Sequence, residues 1–228
     1  MEIGELLGSG RSADVYAIDG ERVLRRYRAA IDARREVAVM AYVAEHGFPV
    51  PDVYPGLSDG RSTDLVMRRL SGPTMLRALI DGEIEPEEVG RVTARLLRQL
   101  HAIPPRVSGD PRDRVLHLDL HPDNVMLTPR GPFVIDWCNS REGAPGLDCA
   151  MSAVIVAQVA VDEENGFAAA AARSVLVALL DGLGDDAMDF GGELDRAGAR
   201  RGADRGLTSR EVGMLDAAVA LIRELRPR

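Results

Sequence analysis

The chain contains no lysine; all 28 of its basic residues are arginine. Any role that an ammonium would ordinarily fill must be filled by a guanidinium, which is longer, planar and permanently charged. Cysteine is scarce as well. Cys138 and Cys149 are the only two in 228 residues, too few for a disulfide framework, and they point to a reduced, cytoplasmic protein. There are four histidines, which makes a histidine-rich metal centre hard to assemble. No apolar run approaches the length of a membrane span. The opening MEIGELLGSG lacks the basic-then-apolar pattern of a secretory leader, and no membrane partner is expected. Positive charge is also in deficit: the formal net charge is −8, which argues against a nucleic-acid partner. An acidic balance is compatible with a cationic ligand, but it is more often a solubility feature. Nothing in the sequence speaks to oligomeric state.

What is present is an ordinary globular mixture, 46% apolar and 28% charged, long enough for one large domain or two small lobes. The first seventy residues read mostly as strands. ELLGSGRSADVYAID is two apolar runs around a Gly/Ser-rich turn. Asp19-Gly20 predicts a hairpin turn with positive φ at both central residues. RVLRRYR alternates Val23, Arg25 and Tyr27 on one face with Leu24, Arg26 and Arg28 on the other. Residues 32–47 predict a helix capped by Asp32, striped by Val37, Met40, Ala41 and Ala44, and stopped by Gly47. TDLVMRRL predicts another strand. From about residue 73 the pattern turns helical. One helix carries Val89, Val92, Leu96 and Leu100 as its buried stripe, LDCAMSAVIVAQVAV is apolar nearly all round, and a last helix opens with Thr208 and Glu211 in capping-box register. The stretch 181–206 reads as loops with a weak helix inside.

Against this background VLHLDLHPDNVML stands out, because ionisable groups among aliphatics are costly unless paired or used. The following NVMLTPRGPFVID predicts a hairpin: Val125–Leu127, a turn over 129–132, then Phe133–Ile135. Antiparallel pairing would make Asn124 and Asp136 neighbours at its open end, with Asp119 on the loop feeding it. Three hard oxygen ligands suit Mg²⁺. Two other readings stay open. His117, Asp119 and His121 alternate, so on a strand they would share a face and could bind Zn²⁺ or Fe²⁺ in a metal-dependent hydrolase. The stretch could also be a polar network bracing a turn. In GSGRSADVY, Gly8 and Gly10 would let backbone N–H groups approach phosphate oxygens. Arg25 on the next strand and Glu36 on the next helix are either a surface pair of little worth or the holder of two phosphates.

The order of these parts resembles the protein-kinase-like fold and, more closely, the aminoglycoside phosphotransferase family of small-molecule kinases. HLDLHPDNVML is similar to that family's catalytic loop, typically HGDLHPGN. FVIDW resembles its metal-binding segment, GAPGLDCA its G-x-P-x-x-D-L-A segment, and RQLHAIP its Leu-His helix end. The resemblance runs from residue 3 to about 153. It implies an α+β, bilobal fold: an antiparallel-sheet lobe over 1–70 with a linker at 67–70, and a helical lobe over 71–228 holding the catalytic loop and acceptor site. It implies ATP and Mg²⁺ as cofactors and a small-molecule acceptor with a hydroxyl group. Asp119 would be the base or orienter, and Asn124 and Asp136 the metal ligands. Ser9, Gly10 and Ser12 would lie over the phosphates, and Arg25, fixed by Glu36, would hold them. Met67, Arg68 and Leu70 would meet the purine, while His117, His121 and Asp148 would brace the loop. Family members usually have lysine where this chain has Arg25, and the acceptor region is compressed into 154–228. A nucleotide-binding pseudokinase is the competing expectation. Glu142, Asp148, Asp162, Glu163, Glu164, Asp185, Asp186 and Asp189 are the acids that could attract a cationic acceptor.

Overall fold

Strand alternation decides the first part of the molecule. In the computed structural model, which describes residues 3–10, 12–29, 31–58, 60–184 and 192–225, β1 (Leu6–Ser9), β2 (Ala13–Ala17), β3 (Arg22–Tyr27) and β4 (Asp64–Arg68) form one antiparallel sheet in sequence order. On β3 the two central arginines part as their parity requires. Arg25 reaches Glu36, whereas Arg26 reaches Asp64 at 2.7 Å. The β2–β3 connection is wider than the expected two-residue turn. Residues 18–21 separate the strands, and Gly20 is not among the positive-φ glycines. The carboxylate of Asp19 closes the loop instead, accepting the N–H groups of Glu21 and Arg22 at 2.9 and 2.8 Å.

Helix α1 (Arg34–Glu45) starts one residue later than Asp32 at the N-cap would require: Ala33 is the N-cap, though Asp32 still accepts the Arg34 N–H at 3.0 Å. Its buried residues are Glu36, Met40 and Val43. This face is rotated from the expected Val37, Met40, Ala41, Ala44 stripe because the Glu36 carboxylate is drawn inward by donors described below. Gly47, at φ 76°, ends the segment as expected.

The expected linker at 67–70 begins inside a strand. Met67 and Arg68 lie in β4, opposite Val23 and Arg22, so the ladder holds them. The chain separates into two compact units at 73/74 rather than 70/71, and residues 126–140 belong with the first unit rather than the second. Close backbone contacts explain that assignment. The hairpin of β6 (Val125–Thr128) and β7 (Gly131–Val134) donates Leu127 N–H to Pro73 and Val134 N–H to Pro49, both at 2.9 Å. Gly72 (φ 134°) passes so near that a Cβ would lie 1.9 Å from the Leu127 oxygen. The hairpin turn is Pro129-Arg130, tighter than expected over 129–132. Thr128 Oγ1 accepts the Arg130 N–H at 3.1 Å and donates to Gly131 at 2.9 Å.

The second unit is helical: α2 (Met75–Ile80), α3 (Pro86–His101), α4 (Pro145–Ala160), α5 (Gly166–Leu183), α6 (Glu193–Gly202), α7 (Ser209–Gly213) and α8 (Leu215–Leu225), with a short antiparallel pair of β5 (Arg114–Leu116) and β8 (Arg141–Gly143). The expected stripe on α3 is buried. α3 meets α5 at Gly90, where a Cβ would lie 2.4 Å from the Val175 oxygen. α4 is buried from Asp148 to Gln158, in keeping with its all-round apolarity. By length and composition alone Glu163–Leu183 could cross a membrane, which corrects the reading that no run approaches that length. Here α5 packs on α3 and α4 with Val175, Leu176, Leu179 and Leu180 buried. The Thr208–Glu211 capping box forms, but the helix it opens is broken between α7 and α8. Within 181–206, residues 193–202 form α6, a full helix with Leu194 and Ala197 buried; residues 185–191 lie outside the described ones.

Candidate active site

In the first unit the site residues gather on one cation. Arg25 Nη1 lies 3.2 Å from Glu36 Oε1, and its Nη2 lies 2.5 Å from Asp136 Oδ1. Glu36 Oε1 also accepts the Trp137 N–H at 3.1 Å, and its other oxygen accepts the Tyr27 hydroxyl. Burial opposes the charge on Arg25, yet Glu36 and Asp136 outweigh it and hold its pKa above the ordinary value. Burial also lifts the Glu36 carboxyl above its ordinary range, against Arg25 and the Tyr27 hydrogen bond. The two carboxylates differ in access: the side chain of Glu36 is 3% exposed and that of Asp136 31%. Asp136 adopts φ 64°, a left-handed conformation costing a non-glycine residue roughly 1–2 kcal/mol. The N–H of the next residue, Trp137, goes to Glu36, and the Trp137 ring, fully buried, packs edge-on against Phe48 at 5.6 Å. Tyr27 and Trp137 were not singled out from the sequence. Tyr27 shares strand parity with Arg25, which was the available signal; nothing local marked the Trp137 N–H.

The glycine-rich turn shows a different arrangement. Ser9 Oγ donates to Asp14 at 2.8 Å and accepts from Arg28. The Gly10 N–H closes the turn onto the Ala13 oxygen at 2.9 Å, and the Ser12 carbonyl accepts the Arg28 N–H at 3.0 Å. Arg11 lies outside the described residues. The Arg68 N–H is bonded to Asp52, and Leu70 lies beyond the strand, half-buried.

In the second unit a buried carboxylate shapes a loop. Asp148 is fully buried. It accepts the N–H groups of His117 and Leu118 at 2.9 and 2.6 Å, and His101 Nε2 lies 3.0 Å from it. Burial alone would raise its pKa, but His101 and the His117 N–H hold it below 3.8. These bonds pin Leu118 at φ 63°, and the chain turns there. β5 ends at Leu116, so residues 117–121 are not a strand, and His117, Asp119 and His121 do not share a strand face. Among the described residues no group of three or more His, Cys, Asp or Glu is placed to hold a metal. Past the turn, Asp119 keeps its side chain 23% exposed. The Asn124 side chain closes the loop, its Nδ2 donating to the Asp119 backbone oxygen at 2.9 Å and lying 3.2 Å from His121 Nε2. Burial depresses the His121 pKa below 6.5, against the pull of Asp119, so the ring is neutral and its Nε2 can accept. With the amide nitrogen so used, Asn124 presents its oxygen. His101 is the residue of this cluster that sequence reading left without a role; its place in RQLHAIP was the only sign.

Residues 3–114 and 109–193 match the model of the phosphotransferase enzyme family, APH. The chain belongs to that family. Both clusters fall within the matched segments, Arg25 and Glu36 in the first, Asp119, Asn124, Asp136 and Asp148 in the second. Among curated proteins none matches the sequence. Solved structures similar to this phosphotransferase include a choline/ethanolamine kinase family protein from Mesorhizobium loti (17% identity, TM-score 0.56, covering 99% of this chain and 88% of that one). An ADP-bound aminoglycoside phosphotransferase, APH(2'')-Ib, has 14% identity and a TM-score of 0.57, covering 99% and 93%. An ethanolamine kinase from Plasmodium vivax has 12% identity and a TM-score of 0.62, covering 98% and 83%. At these identities the likeness shows the fold. It is the kinase-like α+β fold, with a small antiparallel sheet and a larger helical part.

Proposed function

We propose that this phosphotransferase moves the γ-phosphoryl group of ATP to a hydroxyl of a small molecule. The observation that carries the reading is the loop 117–124, pinned at its base by Asp148 and closed by Asn124, which leaves the Asp119 carboxylate accessible beside a neutral His121. In the transfer, the acceptor oxygen forms a bond to the γ-phosphorus as the bond from that phosphorus to the β–γ bridging oxygen breaks. ADP leaves with the electron pair, and Asp119 orients the hydroxyl and takes its proton. Asn124 and Asp136 each carry an oxygen of the kind a hard cation takes and are assigned to Mg²⁺, which, when bound, would neutralise charge on the phosphates. Arg25 divides its two Nη groups between two carboxylates, a fork that can also bridge carboxylate and phosphate. Ser9, Gly10 and Ser12 are assigned to the phosphates. Of Met67, Arg68 and Leu70, only Leu70 lies beyond the β4 ladder, and the purine contact is assigned there.

Asp119→Asn should lower kcat about 10²–10⁴-fold while Mg·ATP still binds by calorimetry. Unchanged turnover would remove Asp119 from the chemistry. Asp136→Ala should abolish turnover and weaken Mg·ATP binding. A second reading, a nucleotide-binding pseudokinase, draws on the guanidinium already seated on Asp136. Tight nucleotide binding that ignores Mg²⁺, with neither phosphoryl transfer nor even slow ATP hydrolysis, would favour it.

A further inference from the structure

The acids that could attract a cationic acceptor have other work. Glu142 accepts the N–H groups of Arg106, Val107 and Ser108. Asp148 is buried under the loop. Asp162 and Glu164 both hold Arg210. Asp185, Asp186 and Asp189 lie outside the described residues. That leaves Glu163, exposed on a short turn.

Apolar surface, by contrast, is concentrated in one place. A cavity of about 690 Å³ lies wholly within the second unit, inside the range of about 300–1,000 Å³ usual for small-molecule sites. Leu79 of α2, Val156 of α4 and the first half of α5 border it, together with His121, Pro122 and Asp123 of the loop. The space exists because α5 offers little side chain there: Ala168, Ala170, Ala171 and Ala172 all border the cavity. So do Leu76, Ile80, Val159 and Phe167, which are large, apolar and exposed, Ile80 by 66% and Phe167 by 89%. Exposed apolar groups gathered around a concave site mark a place for a ligand. Water finds few partners in it. Among the described residues that border the cavity none is an arginine, and the ionisable ones are Glu85, His121 and Asp123. Weakly held water is readily displaced by an apolar group.

Two side chains join this cavity to the chemistry. The His121 ring borders it, and His121 Nε2 lies 3.8 Å from Asp119 Oδ1 and 3.2 Å from the Asn124 amide nitrogen. One imidazole thus belongs both to the cavity wall and to the Asp119 cluster. Asp123 accepts the Thr74 hydroxyl at 2.9 Å, and Thr74 caps α2 by accepting the Arg77 N–H at 3.1 Å. The helix that carries Leu76, Leu79 and Ile80 is therefore fastened to the loop at its first turn.

We propose that the acceptor of this phosphotransferase is an uncharged alcohol with an apolar body, whose hydrocarbon part fills this cavity while its hydroxyl passes His121 to meet Asp119. The proposal rests on the kinase reading of Asp119. The alcohol oxygen bonds to the γ-phosphorus as the bond to the β–γ bridging oxygen breaks. Asp119 takes the proton, and the products are ADP and the phosphate monoester of the alcohol. Burial of the apolar body places the hydroxyl before transfer, so shape and hydrophobicity set specificity and charge does not.

The test presents the full chain with Mg·ATP and three panels: aryl, long-chain and polycyclic alcohols; sugars and polyols; amino sugars and amino alcohols. Phosphoryl transfer is measured for each, and thermal shift is read for the same panels in Mg·ADP. Transfer to the apolar panel is expected, with KM falling as the apolar part grows and little changed by salt. Ala171→Leu narrows the cavity and should raise KM for the best apolar acceptor about 10- to 100-fold, with kcat changed less than about threefold. Shorter members of the same series should lose less, which a misfolded variant would not reproduce. Ile80→Asp, at an exposed position, should raise the same KM without touching the core. Transfer confined to sugars or amino sugars, no response to the apolar panel, or an unchanged KM in both variants overturns the inference. Stabilisation by apolar alcohols that are never phosphorylated overturns it too, as does a dimer that Ile80→Asp dissociates, because a second copy would then cover the cavity. Where another panel is phosphorylated, the kinase reading stands without this inference. Where calorimetry shows no Mg·ATP binding, the kinase reading falls and this inference with it.

Discussion

Glu36 in the sheet unit and Asp148 in the helical unit are both carboxylates taken out of water, and burial leaves them in different states. Glu36 is held by one cation, one hydroxyl and one distant backbone N–H, and its pKa is raised. Asp148 is held by two successive backbone N–H groups and a histidine, and its pKa is lowered. A carboxylate fixed by the backbone is part of the chain's path: removing it frees Leu118 from a conformation it would not otherwise keep. A carboxylate fixed mainly by side chains can exchange partners. The sheet unit is thus built to trade contacts, and the loop of the helical unit to keep its shape.

The largest effect should come from Asp148→Asn, which faces one backbone donor with a second donor. A loss of about 3–5 kcal/mol, as for breaking a buried pair, is expected in urea unfolding. Replacing Asp148 and His101 together by apolar residues should not restore it, because the two N–H groups stay buried. Full recovery would break the comparison. Arg25→Ala should cost roughly 2–5 kcal/mol in transition-state stabilisation, read as kcat/KM. Here the double replacement Arg25→Met with Glu36→Leu should recover part of the stability, since one buried N–H and one hydroxyl rather than two N–H groups lose their acceptor, while turnover stays lost, and Arg25→Lys should retain activity.

The pH dependence should differ in sign between the two. The depressed Asp148 value contributes stability that is complete above 3.8 and is lost as pH falls through the lower folded value. The raised Glu36 value contributes stability present below 4.5 and lost as pH rises through the higher folded value. Unfolding curves between pH 3 and 7 for Asp148→Asn and Glu36→Gln should flatten opposite limbs. Gly90→Ala at the α3–α5 contact should destabilise by about 1–3 kcal/mol through overpacking, even though alanine favours the helix. Ser9→Ala should leave the melting temperature within about 2 °C of the parent, since Ser9 is exposed. A larger change would show that its bonds to Asp14 and Arg28 organise the turn.

Periodicity carried most of the element order. The parity that separates Arg25 from Arg26 could be read directly, because strand alternation has period two. The rotation of α1 could not, since Val37, Ala41 and Ala44 make as good a stripe as the face that Glu36 imposes, and the donors that turn Glu36 inward come from residues 25, 27 and 137. The left-handed backbones of Leu118 and Asp136 were equally invisible. Leucine does not favour that conformation, and aspartate, though it adopts it more readily than most residues, rarely does so without support; here the supporting bonds come from Asp148, thirty residues on, and from Glu36, a hundred residues back. The Asp119…Asn124 spacing marked the loop correctly but not what closes it. The fate of the acids was hidden for a simpler reason: a carboxylate in a sequence does not say which N–H or guanidinium it will face.

The sheet unit has one more property, which concerns time rather than energy. Its members are residues 1–73 and 126–140, and Arg25 meets an acid 111 positions further on. On a ribosome adding about 5–20 residues per second, the strands would wait roughly 3–13 s between residue 73 and residue 140. During that interval β3 exposes a guanidinium and α1 a carboxylate whose third partner has not been made. A nascent chain stalled before residue 126 should therefore leave this sheet protease-sensitive, and one stalled well beyond residue 140 should protect it.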